Sequence, residues 1–263
     1  MDFYLPALLL GLVQGLTEFL PVSSTAHLAV IPRALGWTSP LLTSLPFDVA
    51  LHAGTLAALL AVFGREWITL VRALVRPGSA DGRVALGLVL STIPALGAGA
   101  LLEHRVGDAM RTPGWIAVWL AAGAVALWWA DRQPEGRRTG RDLTMREALL
   151  IGCAQACAIL PGLSRSGMTM TAGRLVGLSR AESARYSFLM SAPVIGAAIM
   201  WESRHLTSLS APEGTAVLLG VAAAGAAGAA TIRWLLRAVG RMGYTPFVAY
   251  RLALAAVLTA FLR

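Results

Sequence analysis

Lysine is absent from these 263 residues, and all 22 basic residues are arginine. Cysteine is nearly absent: Cys153 and Cys157 lie four apart, with no further Cys or nearby His to complete a metal site, so both read as small apolar filler. Charge is scarce, at 14% of residues against 56% hydrophobic, and the mean hydropathy is +0.66. That balance excludes an ordinary soluble domain and points to a polytopic membrane protein. The opening MDFYLP has no basic n-region, and polar residues from Thr17 onward stand where a cleavage site would fall. The first apolar stretch is therefore expected to stay in the protein instead of being removed as a signal peptide. The net charge of +8 does not imply nucleic acid as a partner. The arginines fall mainly between apolar segments, where they set topology and contact lipid headgroups.

Six segments are apolar and long enough to span a bilayer: about 48–63, 84–102, 115–130, 184–201, 214–236 and 245–262. Two more apolar regions, 5–35 and 147–178, are each interrupted by a proline followed by serine-rich sequence. Each half is too short to span, which predicts re-entrant helix-loop-helix hairpins. The interruptions resemble each other. Gly11, Gln14, Leu20 and Pro21 match Gly152, Gln155, Leu160 and Pro161 with one residue dropped, and Phe47 and Phe188 open the following spans. The simplest description is one all-α membrane domain made of repeat 1, about 1–131, and repeat 2, about 144–263, joined by a cytoplasmic loop, 132–143. A hairpin plus three spans is an odd number of crossings, so the second copy is inverted relative to the first.

Arginine distribution gives the orientation. Only Arg33, Arg105, Arg111, Arg204 and Arg263 fall on the side from which the first hairpin enters, against fifteen on the other. The arginine-rich side is cytoplasmic by the positive-inside rule, which puts both termini outside and opens the first hairpin outward. TMRE (144–147) and SRAE (179–182) have the form of capping boxes. The segment 65–76 sets Trp67, Leu70, Val71 and Leu74 on one helical face and is expected to lie along the cytoplasmic interface.

Opposed hairpins bring their broken tips together near the bilayer midplane, where irregular backbone is tolerated only if buried or lining a wet cavity. Tip one supplies Gln14, Glu18, Ser23, Ser24, Thr25 and His27, and tip two supplies Ser164, Arg165, Ser166 and Thr169. A guanidinium, hydroxyls and freed backbone amides suit a tetrahedral anion, phosphate better than carboxylate. For phosphoanhydride hydrolysis, Ser24 would be the nucleophile, His27 or Glu18 the proton acceptor, and Arg165 the charge partner of the transferred group. A divalent cation bridging Glu18 and a diphosphate would share that charge. The plainer alternative is that the hydroxyls satisfy the backbone at the breaks while Arg165 pairs with Glu18 as a buried lock. His52 has two readings, a side chain facing the site from the adjoining span and, the plainer one, a packed hydrogen-bonding residue. Asp48 suits a helix start as readily as chemistry, with the helix-dipole role favoured. Arg251 is either an anion contact or a snorkelling residue.

QGLTEFLPVSSTAH and LPGLSRSGMT, supported by PFDVALHAGT, LSRAESARYSFLMSAPVIGA and YTPFVAYRLALA, resemble the undecaprenyl-pyrophosphate phosphatase, or bacitracin-resistance, family over essentially the whole chain. The resemblance implies an interdigitated inverted repeat in the bacterial inner membrane. It also implies removal of one phosphate from a C55 isoprenoid diphosphate, with dependence on Mg2+ or Ca2+. By that resemblance Glu18, Ser24, His27 and Arg165 are catalytic, while Ser23, Ser164, Ser166 and Thr169 support phosphate binding. The family's leading acidic position is Gln14 here, which counts against a mechanism needing two carboxylates at the tip. The absence of Lys separates the chain from the other membrane lipid phosphatases, whose signature requires one. Expected partners are a polyprenyl diphosphate and membrane lipids. Small-residue runs such as 220–230 permit close helix approach within a subunit or in a homodimer. The alternative function is a carrier moving a lipid phosphate or another anion through the midplane site.

Overall fold

Hydroxyl residues and prolines set where the helices begin. Ser44 accepts a hydrogen bond from the amide of Phe47, and Ser79 from that of Gly82. Pro113 starts one helix directly, where its missing N–H has no intrahelical partner to lose. The structure is a computed structural model describing residues 3–202 and 209–261. Among these the chain forms α1 (Tyr4–Thr17), α2 (Ser24–Ala34), α3 (Leu45–Ala73), α4 (Ala80–Met110), α5 (Pro113–Asp131), α6 (Met145–Cys157), α7 (Arg165–Leu175), α8 (Arg180–Glu202), α9 (Ala211–Met242) and α10 (Thr245–Phe261). The described residues hold no strand, only an isolated bridge between Arg138 and Leu178.

The chain is a multi-pass membrane protein. α3, α5, α9 and the part of α4 up to Leu102 are long and apolar enough to cross a bilayer. The other two expected spans are also helical, but α10 is short, at 17 residues, and α8 buries Ser183, Ser187 and Ser191, which lowers its apolar content. Arg204, Arg263, Leu262 and both chain termini lie outside the described residues, as does the side chain of Arg105.

Both proline breaks are present as interruptions, α1 to α2 across residues 18–23 and α6 to α7 across 158–164. The segment 65–76 does not form a separate interfacial helix; α3 continues unbroken through it to Ala73. Gly64 is too weak a breaker to stop a helix rich in good formers, and Leu70 and Trp67 turn into the core while Val71 and Leu74 stay exposed.

The two halves interlock. α1 packs on α9, α6 on α4, and α5 on α10, so the first helix of each half lies against the fourth helix of the other. Glycines permit the approach: a Cβ on Gly11 would strike the backbone of Gly220, and one on Gly152 the backbone of Ser91. The largest core cluster joins tip one to α8 through Phe19, whose ring meets Phe188 edge-on at 5.3 Å.

One end of the bundle is tied by ion pairs. Arg138 donates to both carboxylate oxygens of Glu147 and to the carbonyls of Val176 and Asp142. Arg180 pairs with Asp131 and Glu135, and Arg185 with Glu66 and Glu182. Thr144 and Glu147 form the expected reciprocal capping box. The 179–182 box is only half made. The amide of Glu182 donates to Ser179, but the Glu182 carboxylate turns instead to the amide of Gly140 and to Arg185.

Candidate active site

Two serines mark the site before any side-chain chemistry does. Ser23 and Ser164 are the only non-glycine residues with positive φ among those described, at 74° and 69°, and each is the N-cap of a helix of 11 residues, α2 and α7. A left-handed conformation costs a non-glycine residue on the order of 1–3 kcal/mol and persists only where the surroundings impose it. Here it reverses the chain so that two helix N-termini, Ser23–Thr25 and Ser164–Ser166, line one cavity of about 160 Å³. Unpaired amides and dipole ends at such termini favour an anion.

Glu18 is the carboxylate of that cavity, 6% exposed. Its Oε2 accepts from the Ser24 hydroxyl at 2.6 Å and from Gln14 Nε2 at 3.1 Å, while its Oε1 accepts from Arg165 Nη2 at 2.7 Å. The lock between Arg165 and Glu18 considered from sequence is therefore present, and it joins tip one to tip two. Ser166 adds a second link, donating to the carbonyl of Leu20 at 2.9 Å. The Ser164 hydroxyl caps α7 by accepting from the Gly167 amide at 3.1 Å and lies 3.3 Å from Ser166 Oγ.

The other expected site residues differ in whether they reach the cavity. Thr25 lines the cavity and shares a hydrogen bond with Ser23 at 3.1 Å. Thr169 donates to the Arg165 carbonyl at 2.9 Å and meets Ser187 Oγ at 2.6 Å, holding the first turn of α7. Neither Gln14 nor His27 lines the cavity. His27 Nδ1 bonds the Ser23 carbonyl at 2.7 Å; a carbonyl can only accept, so Nδ1 carries the hydrogen. Nε2 then accepts from the Tyr250 hydroxyl at 2.6 Å in a neutral imidazole, with the two rings stacked 5.6 Å apart.

Of three further polar residues, Arg251 departs from both of its sequence readings, His52 takes the less plain of its two, and Asp48 keeps its helix-dipole role. His52 is a cavity-lining side chain, with Nε2 3.5 Å from Glu18 Oε2 and Nδ1 donating to the Asp48 carbonyl at 2.8 Å. Its i, i+4 spacing from Asp48 just after the first hairpin was the available signal. Asp48 sits in the first turn of α3, as its dipole role requires, and also pairs with Arg111 at 3.8 Å. Arg251 neither snorkels nor lines the cavity. It is fully buried and donates to the carbonyls of Leu120, Pro21, Gly162 and Leu163 at 2.9–3.3 Å, clamping both tips from behind.

Among the described residues no group of three His, Cys, Asp or Glu side chains makes a ready metal cage. Glu18 with His52 beside it fits a cation only if the ligand supplies most of the oxygens, as Mg2+ bound to phosphates commonly requires.

Comparison with known proteins matches residues 7–257 to the family model described as bacitracin resistance protein BacA. The chain is 44% identical over 247 residues to a protein of Pelotomaculum thermopropionicum named undecaprenyl-diphosphatase, covering 94% of this chain and 92% of that one. It is 43% identical to a protein of the same name from Moorella thermoacetica, with 97% of each chain covered. With undecaprenyl-diphosphatase 2 of Stutzerimonas stutzeri it shares 44% identity over 95% of each.

Proposed function

The chain belongs to the bacitracin resistance protein BacA family, and from that premise we propose that it hydrolyses undecaprenyl diphosphate to undecaprenyl phosphate and inorganic phosphate, returning the lipid carrier to cell-wall synthesis. The observation that carries the residue assignment is the continuous chain from Ser24 Oγ through Glu18 to Arg165, at 2.6 and 2.7 Å, at the junction of two helix N-termini. Support for the substrate comes from the names of the relatives.

Ser24 Oγ attacks the terminal phosphorus while the bond from that phosphorus to the lipid monophosphate breaks. Its proton passes to Glu18 Oε2, the acceptor already in hydrogen-bond contact. Arg165, with the amides of α2 and α7, carries the negative charge that spreads over the equatorial oxygens. Glu18 passes that proton to the departing lipid monophosphate. Water then attacks the serine-bound phosphorus as the bond from phosphorus to Ser24 Oγ breaks, Glu18 taking the proton of the water and returning it to Ser24 Oγ, which frees inorganic phosphate. His27 acts through position: tied between the Ser23 carbonyl and Tyr250, it fixes the backbone that presents Ser24. A divalent cation held by Glu18 and diphosphate oxygens would supply Lewis-acid charge compensation.

The cross-packing of α1 on α9 and α6 on α4 supports reading the fold as two interdigitated, oppositely inserted repeats with re-entrant hairpins. Phosphate release from the C55 diphosphate by purified protein, with Mg2+ or Ca2+ and with chelator, tests the reading. Ser24→Ala is expected to lower kcat on the order of 10³-fold or more. Retained activity in that variant would remove the serine nucleophile, and no release by the unsubstituted protein would return the field to the anion carrier.

A further inference from the structure

Beside the polar cavity lies a second one of about 370 Å³, walled by α4 and α8. The two cavities share Val49, Val194 and Ala198, so they abut directly. Small residues keep the gap open, with Ala95, Gly99 and Ala100 on α4 facing Ala197 and Ala198 on α8. A Cβ added at Gly99 would meet nothing within 4 Å. The lining is apolar except for Glu202, which lies at the far end beside Trp201. Leu96 and Trp201 are 43% and 50% exposed, so the space reaches the surface that α4 presents to lipid. From Val194 to Trp201 the α8 wall runs about 10 Å at 1.5 Å per residue.

An apolar slot that begins at an anion site and ends at the bilayer has the shape of an amphiphile with its charge at one tip. We propose that this groove takes the first isoprene units of the lipid diphosphate, so that the tail leaves between α4 and α8 while the diphosphate lies between the hairpin tips. The assignment rests on the phosphatase reading and adds to it the lateral route of the substrate. Each methylene buried there contributes roughly 0.8 kcal/mol, so the groove acts on substrates long enough to enter it and not on the shortest ones.

The experiment uses farnesyl diphosphate and dimethylallyl diphosphate as probes, which share the head and differ in reach. Gly99→Leu and Ala95→Leu place a side chain in the groove. Gly97→Leu places one on the same helix, on an exposed position that lines neither cavity. With melting temperatures matched to the parent protein, either plug is expected to lower kcat/KM for farnesyl diphosphate by about ten-fold or more, chiefly through KM. Turnover of dimethylallyl diphosphate stays at the parent level in both, and Gly97→Leu changes neither substrate. Equal losses on both substrates, unchanged farnesyl turnover, or a gain in turnover from excluding bulk phospholipid would each overturn the groove assignment and leave the phosphatase intact. Failure of the parent protein to hydrolyse either probe or the C55 substrate would instead remove the phosphatase reading, and the groove assignment with it.

Discussion

Among the described residues Arg251 has no carboxylate partner, yet four backbone carbonyls take its donors: one on α5, one on tip one and two on tip two. Gly123 leaves the room it needs, since a Cβ there would run into the guanidinium. Arg251→Met leaves carbonyls unpaired, each costing about 1–3 kcal/mol if no water replaces the guanidinium. Thermal unfolding in detergent is expected to fall sharply and activity to fall with it. Arg251→Lys should recover only part of both, because a point charge with three donors cannot reproduce the planar fork. A Met variant that melts like the parent protein would show that the clamp does not hold the tips. Nothing in the sequence pointed to this role, because a residue bonded only to carbonyls has no partner residue type to look for. Glu18, Ser24 and Arg165 were legible for the opposite reason: ionisable and nucleophilic groups in an apolar run are costly and need a purpose. Gln14 was legible as a departure from the family pattern, and its amide donates to Glu18, which an ionised carboxylate at that position could not do.

At the scale of elements, the breaks were readable from proline and serine, whereas the path of each chain around its break was not. Positive φ at Ser23 and Ser164 runs against serine's own preference, so no local signal foretells it. The continuation of α3 past Gly64 was missed because the amphipathic pattern of 65–76 fits an interfacial helix and the end of a long span equally well. The start of α6 was read correctly and carries a pH prediction. The guanidinium of Arg138, bonded to both Glu147 oxygens, holds the Glu147 carboxyl down to about 2 from 4.5, helped by Thr144. A depressed folded value means that the stabilisation is fully present above the unfolded value and is lost as pH falls from about 4.5 toward 2. Glu147→Gln should therefore melt below the parent protein at pH 7, with the gap narrowing steadily between pH 5 and 2.5. A gap constant across that range would assign the Glu147 contribution to its hydrogen bonds alone and not to its charge.

For the molecule as a whole, the same proline-broken motif occurring twice suggests a repeat and the family resemblance implies that its halves interdigitate, but which helix of the other half each hairpin meets was not legible, because no local pattern encodes it. The small residues that allow the contact, Gly11 against Gly220 and Gly152 against Ser91, become informative only once the partners are known. Orientation is the remaining whole-molecule question, and the arginine asymmetry answers it as a proposal: the end bearing the Arg138, Arg180 and Arg185 ion pairs faces the cytoplasm, and the first hairpin opens outward. Two exposed loop positions separate the faces, Thr38 between α2 and α3 and Arg137 between α5 and α6. Cys153 and Cys157 are themselves exposed, so both are first changed to alanine. In intact cells a membrane-impermeant maleimide is then expected to label Thr38→Cys and to label Arg137→Cys only after the membrane is opened. The reverse pattern would place the first hairpin on the cytoplasmic side and require the lipid diphosphate to be taken from the inner leaflet. Labelling of both positions in intact cells would mean that two inverted halves insert in both orientations and that the arginine bias is too weak to choose between them.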